Sequence, residues 1–212
     1  MQIEQLIQNY PILYHMAASG SWPSIKQHGL LSTTALLDLF EYTGERRLEI
    51  ESRWRPNSVK IENPVYGTAV VRDQRPMPPD KITPLLRGIG LQEWYELLNG
   101  KTFFWVSRHR LDTLLNAYAY RNKSHCILFV DTKKLLDAYA DIITLTNINT
   151  GFAHYGGPRG RDTFKSIKDF TANRGVWELA VDYDVKHILD LVLRVEERKR
   201  DQRISTIWTK DH

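Results

Sequence analysis

Along this chain the apolar residues fall in short blocks, and two periods alternate. Blocks at 12–16, 102–106, 126–130 and 176–181 are short and rich in β-branched and aromatic residues, and they read as strands. Between them, apolar residues spaced by three and four predict helices over 2–9, 24–28, 33–40, 91–99 and 133–139. The punctuation agrees with this division. Pro11 ends the first helix, Ser21 stands where a cap belongs with Pro23 in the first turn, and Gly29 and Gly100 follow helix ends. Ser107 caps a helix running to about 120. Residues 41–60 are charged and amphipathic, which predicts a helix ending before Pro56. Residues 64–84 hold five of the nine prolines around the β-like run 67–71, predicting loops about an edge strand. Residues 142–145 are β-like, 149–161 form a glycine-rich loop, and 185–195 ends in strand. The strongly charged tail from Glu196 is expected to be mobile. The whole predicts one α+β domain over residues 1–212, without internal repeats.

Composition narrows the setting. The 212 residues suffice for one sizeable core, and 42% hydrophobic with 25% charged residues is ordinary for a globular chain. No apolar run approaches the roughly 18 residues of a membrane span, so no membrane association is expected. The first residues lack the basic and apolar segments of a signal peptide, and a reducing cytoplasm is the expected location. The single cysteine, Cys126, excludes an internal disulfide and any cysteine-based zinc cluster, and reads as a small strand residue.

The net charge of +4 is unevenly spread. Residues 101–134 carry seven Lys/Arg against two Asp/Glu, and 154–174 carry five against two. These windows give the chain a basic face suited to nucleic acid or dinucleotide phosphates, although a solvated surface reads the same way.

Three segments then stand out. A carboxylate inside an apolar strand costs several kcal/mol when buried alone, so Glu178 must either open into a cleft or be paired. In strict alternation Trp177, Leu179 and Val181 point into the core, while Glu178 shares the other face with Val176 and Ala180. His15 sits in the first strand as either a satisfied core imidazole or a site residue. The run Phe103-Phe104-Trp105 is either core or a stacking platform.

Taken in order, Leu13-Tyr14-His15, then Trp22-Pro23-Ser24-Ile25, then His28-Gly29-Leu30-Leu31-Ser32, followed by the aromatic strand and Glu178-Leu179-Ala180-Val181, resemble the DarT-type DNA ADP-ribosyltransferases. They also resemble the wider His-Tyr-Glu class that includes the poly(ADP-ribose) polymerases. The resemblance covers most of the chain in order and is exact only over short stretches. It implies a split antiparallel β-sheet core with flanking helices and NAD as co-substrate, with no metal. It further implies transfer of ADP-ribose to an acceptor, with a nucleic-acid base foremost, and a toxin with an antitoxin or hydrolase partner. By the same resemblance His15 bonds the nicotinamide ribose with Tyr14 beside it, and Phe103 or Trp105 stacks on nicotinamide in place of the class tyrosine. Glu178 is then the catalytic carboxylate. An arginine gripping the NAD phosphates is also implied; Arg72, Arg75, Arg108, Arg110 and Arg121 are candidates, with Arg72 and Arg75 foremost.

In such a site a carboxylate near the ribose hydroxyls orients the sugar and stabilises charge as the glycosidic bond breaks. The glycine-rich loop lets backbone approach a ligand, and Arg159, Arg161 and Tyr155 are expected to meet the acceptor, although a plain surface connection fits the same composition. Two other functions share the fold: a non-catalytic module binding nucleic acid or ADP-ribose, and an NAD-dependent RNA 2′-phosphotransferase. No phosphate-binding P-loop, HExxH helix or GxSxG elbow is present.

Overall fold

A computed structural model describes residues 1–153, 157–171 and 175–210. In chain order the elements are α1 (Ile3–Asn9), β1 (Ile12–Ala18), α2 (Trp22–His28), β2 (Leu30–Leu31), α3 (Thr33–Leu39), α4 (Gly44–Glu51), β3 (Val59–Asn63), β4 (Gly67–Val71), α5 (Pro79–Ile82), α6 (Leu91–Asn99), β5 (Lys101–Trp105) and α7 (Arg108–Asn116). There follow β6 (Ser124–Asp131), α8 (Thr132–Tyr139), β7 (Ile143–Thr146), β8 (Lys165–Ser166), β9 (Glu178–Asp182), β10 (Asp184–Val185), α9 (Ile188–Leu191), β11 (Val192–Lys199) and β12 (Gln202–Thr209).

Eight of the strands form one sheet in the order β12-β11-β6-β1-β5-β9-β7-β8, and each of its pairs is antiparallel. With helices flanking it, the fold is α+β, as the strand and helix spacing predicts. The sheet is not evenly knit. β1 pairs with β6 over its whole length, from Ile12 opposite Asp131 to Ala18 opposite His125. With β5 it shares a single pair, Tyr14 opposite Trp105. Past that pair the two strands part and leave a gap between two half-sheets.

Alternation along the strands sorts the core. Leu13 and Ala17 of β1, Phe104 of β5, Leu128 of β6 and Leu179 of β9 face one side, packed with α1, α2, α8 and α9. Met16, Ile127 and Phe129 face the other side against Leu111 and Leu115 of α7. Ser107 and Asp131 cap α7 and α8, accepting from the amides of Arg110 and Lys134, and Ser32 caps α3 through Ala35. Ser21 stands at the start of α2, but its side chain makes no cap hydrogen bond. Gly29 is required: its φ is 89°, and a Cβ there would lie 2.8 Å from Lys186 Cα.

Further expectations need correction. The helix expected within 41–60 to end before Pro56 stops at Glu51, and 59–63 is β3, hairpinned with β4; alternation buries Ile61 and exposes its neighbours. The helix after Ser107 ends at Asn116, four residues early, and the chain folds back to bury Tyr120 against α7. Trp177 does not enter the core. It precedes β9, is 36% exposed, and lies under the guanidinium of Arg110, 4.4 Å from its ring centroid. Leu179 and Val181 do enter the large core.

The tail from Glu196 is ordered, forming most of the β11–β12 hairpin. The buried Glu196 is paired, with Arg194 at 2.8 Å and Arg198 at 2.7 Å, and Arg194 covers Phe129 at 3.8 Å. Among the described residues no helix is long and apolar enough to cross a membrane.

Candidate functional site

Where β1 and β5 separate, a cleft of about 1250 Å³ opens, larger than the about 300–1,000 Å³ usual for small-ligand sites. Its walls come from β1, β4, β5, the start of α7 and the 147–152 loop, and Glu178 lies among the lining residues.

His15 fills the place of the missing ladder. Past Tyr14, the next bond between the strands is made by its imidazole, with Nδ1 2.8 Å from the carbonyl oxygen of Phe103. A carbonyl only accepts, so Nδ1 carries the proton. Burial, opposed by that hydrogen bond and reinforced by the charge of Arg72, pushes the His15 pKa down to about 4. At neutral pH the ring is therefore uncharged, with Nε2 an acceptor. The ring packs edge-on to Phe104 at 5.8 Å. A half-buried histidine that lines the cleft and presents an acceptor suits a hydroxyl donor.

Trp105 lies between Tyr14 and Glu178 in the sheet, paired with both. Two strand spacings, about 10 Å, thus separate the backbones of β1 and β9 at this level. Directly opposed residues share a face, so the Trp105 and Glu178 side chains stand together. Phe103 is on that face too, packed against Phe164 at 6.0 Å, and both Phe103 and Trp105 line the cleft.

Glu178 is 4% exposed. Its Oε2 accepts from Thr150 Oγ1 at 2.7 Å and from Thr150 N at 3.1 Å. Burial pushes its pKa up to about 7, against the opposing effects of the Thr150 hydrogen bonds and the charges of Arg159 and Arg110. No salt bridge to Glu178 is present among the described residues. The result is a carboxyl group that exchanges its proton near neutrality at the edge of a large cleft.

The arginines divide by position. Arg72 follows β4 and reaches across to β1, donating from Nη1 to the carbonyl of Met16 at 3.0 Å, with its guanidinium 5.1 Å from the Tyr120 ring centroid. Arg75 is exposed, and both line the cleft. Arg110 also lines it, donating to the carbonyls of Val176 and Trp177. Arg108 is occupied by Asp112 at 2.8 Å, and Arg121 stands over Tyr118.

Several expected contacts fall elsewhere. Tyr14 does not line the cleft: it pairs with Trp105 in the sheet, but its ring packs edge-on to Phe129 at 5.3 Å among the residues under α7. Arg159 is 1% exposed and donates to the carbonyls of Phe152, Asn149 and Gly157 at 2.5, 3.2 and 3.4 Å, so it holds its own loop instead of facing an acceptor. Arg161 is on the surface, paired with Glu93 at 2.8 Å and away from the cleft lining. Tyr155 lies outside the described residues. Thr150 was not legible as a partner of Glu178, since 28 residues separate them and the loop has no local motif. Arg55, Gln74 and Asn99 escaped as well; they form a buried polar cluster at the cleft wall, with Arg55 Nη2 3.1 Å from Asn99 Oδ1 and Gln74 Nε2 3.4 Å from the same oxygen. Among the described residues no group of three or more His, Cys, Asp or Glu side chains is placed to hold a metal ion.

No curated protein matches the chain. A family model does match, over residues 11–192, and the chain belongs to that family, a family of unknown function designated DUF7002. The matched span runs from the start of β1 to the first residue of β11 and contains every residue lining the cleft.

Proposed function

We propose that this DUF7002 member is an NAD-dependent mono-ADP-ribosyltransferase on an ADP-ribosyltransferase-like fold, acting on a nucleic-acid acceptor in a reducing cytoplasm. The observation that carries the reading is the meeting of three distant segments at one gap in the sheet. His15, the aromatic strand β5 and Glu178 all line the cleft where β1 and β5 part. Residues from positions 15, 103–105 and 178 border one cleft because β5 lies between β1 and β9.

The donor set also fits the co-substrate. A neutral imidazole with a free acceptor nitrogen receives a ribose hydroxyl. Phe103 and Trp105 offer ring faces or edges to a flat nicotinamide. Arg72 and Arg75 supply positive charge at the same cleft for two linked phosphates.

NAD supplies an activated glycosidic bond between ribose and nicotinamide. Glu178 works on the ribose side of it: the ionised carboxylate stabilises positive charge developing at the sugar carbon and then takes the proton that the acceptor gives up. His15 orients the sugar without becoming charged. Because Glu178 must be ionised and its pKa lies at about 7, the rate rises with pH through neutrality before levelling.

The test is incubation with NAD labelled in the adenylate half together with DNA, RNA or protein. Transfer of label to nucleic acid is expected, and Glu178→Gln should reduce it at least ~1,000-fold while the fold persists. Undiminished transfer by that variant would remove the assignment. Label on protein alone would keep the reaction and change the acceptor.

A further inference from the structure

We infer that Thr150 is a positioning residue for Glu178, and that Arg159 acts one step behind it by fixing the loop that carries Thr150. The inference rests on the reading of Glu178 as the working carboxylate, and adds the means by which a loop sets its orientation.

Glu178 is the first residue of β9. The strand fixes its backbone, but the terminal torsion of a glutamate is broad and roughly two-fold. Something else must set the plane of the carboxylate. Thr150 does this from one residue with two donors, Oγ1 at 2.7 Å and N at 3.1 Å, both on Oε2. Thr150 is 2% exposed, so these bonds are shielded from water and strengthened by it. Oε1 has no protein partner among the described residues and is the oxygen left for the sugar.

Thr150 lies in neither helix nor strand, so its position needs a support of its own. Arg159 provides it. Its guanidinium takes the carbonyls of Asn149 and Phe152, which bracket Thr150 in the chain, and that of Gly157. The Arg159 backbone is pinned in turn: its amide donates to Leu85 O at 2.8 Å, and its carbonyl accepts from Arg87 N at 2.8 Å. The neighbouring Gly160 permits this approach, since a Cβ there would lie 2.4 Å from Arg87 O. At the other end of the loop, Ala153 N donates to Pro76 O at 3.1 Å. A chain of contacts thus runs from the 85–87 segment through Arg159 to the 149–152 backbone, Thr150 and Glu178.

The charges that face Glu178 are Arg110, from the start of α7, and Arg159, from the loop; each favours the ionised carboxylate without an ion-pair contact. Thr150 favours it through both of its donors. Removing the hydroxyl therefore raises the pH at which Glu178 loses its proton.

Thr150→Val keeps the side-chain shape and the backbone donor and removes only Oγ1–H. It is expected to move the rising limb of the pH–rate profile upward by about one unit and to lower kcat at pH 7 about fivefold. KM for NAD should stay within about twofold, and Thr150→Ser should restore both quantities. The second readout is the side-chain ¹³C signal of Glu178, titrated without NAD in wild type and both variants. A role confined to holding the loop would lower the melting temperature and leave that midpoint in place, and an unmoved midpoint in Thr150→Val overturns the inference. If wild type transfers nothing from NAD, the proposed function fails, while the ¹³C titration still decides the positioning. If Thr150→Val does not fold, Thr150→Ala, which removes the same hydroxyl with less bulk, is read by the same titration.

Discussion

Two glutamates on strands of one sheet are buried almost equally and behave in opposite ways. Glu178 on β9 is 4% exposed and Glu196 on β11 is 2% exposed. Glu196 is held between two guanidiniums, Arg194 and Arg198, and these contacts outweigh its desolvation and keep its pKa below the ordinary carboxylate value. Glu178 has a threonine where Glu196 has arginines, and desolvation wins. A carboxylate that stabilises a structure is given a counter-ion. One kept at the threshold of ionisation is given neutral donors and more distant charge.

The comparison can be broken by removing each charge in turn. The largest stability effect is expected at Glu178. Its folded pKa of about 7 lies above the ordinary 4.5, so the folded protein holds a proton that the unfolded chain releases. Stability is therefore full below about pH 4.5 and falls as the pH rises to 7, by about 3 kcal/mol. Glu178→Gln should remove this slope and be about 3 kcal/mol more stable than wild type at pH 8, with no difference at pH 4. Urea melts at both pH values measure it, and a variant less stable at pH 8 would mean that Glu178 is held by charge after all.

Glu196→Gln should act in the other direction. It leaves two guanidiniums on the strand without a counter-ion and should cost about 2 kcal/mol near neutrality. Because the native pKa is depressed, the stabilisation is present above the ordinary carboxylate value and is lost as the pH falls through the folded one. Transfer activity per folded molecule should be unchanged.

The smallest effect belongs to a third kind of carboxylate, Glu93, paired with Arg161 on the open surface. Arg161→Ala should leave the urea midpoint where it is and change transfer by less than about twofold. A loss of acceptor use tenfold or greater would return Arg161 to the acceptor contact that its place in the glycine-rich loop suggests.

Most strands were legible because their apolar blocks were short and bounded by proline, glycine or a capping hydroxyl. Legibility failed where charge was read as exposure. In β11 Val192 and Val195 are buried, and Glu196 finds Arg194 and Arg198 each two residues away, so a segment that scans as a solvated tail is a strand. The 41–60 segment failed for a related reason, since helix-forming charges at its start hid the period-two pattern at its end.

At the site, His15, Phe103, Trp105, Arg72 and Arg75 do line one cleft with Glu178. Tyr14 and Arg159 show the limit of reading neighbours as partners. One is packed against Phe129, and the other is spent on its own loop. Thr150 is the converse case, a contact made by folding alone.

The lone Tyr14–Trp105 pairing has a mechanical consequence. Two slabs of sheet joined by one backbone pair and the His15–Phe103 bond form a seam, and a molecule lying across it serves as a clasp. Occupancy should then stiffen the seam over a wider area than the molecule touches, slowing amide exchange in β5 and on the outer edge of β1 together. A tightly held ligand would thus complete the architecture as well as use it.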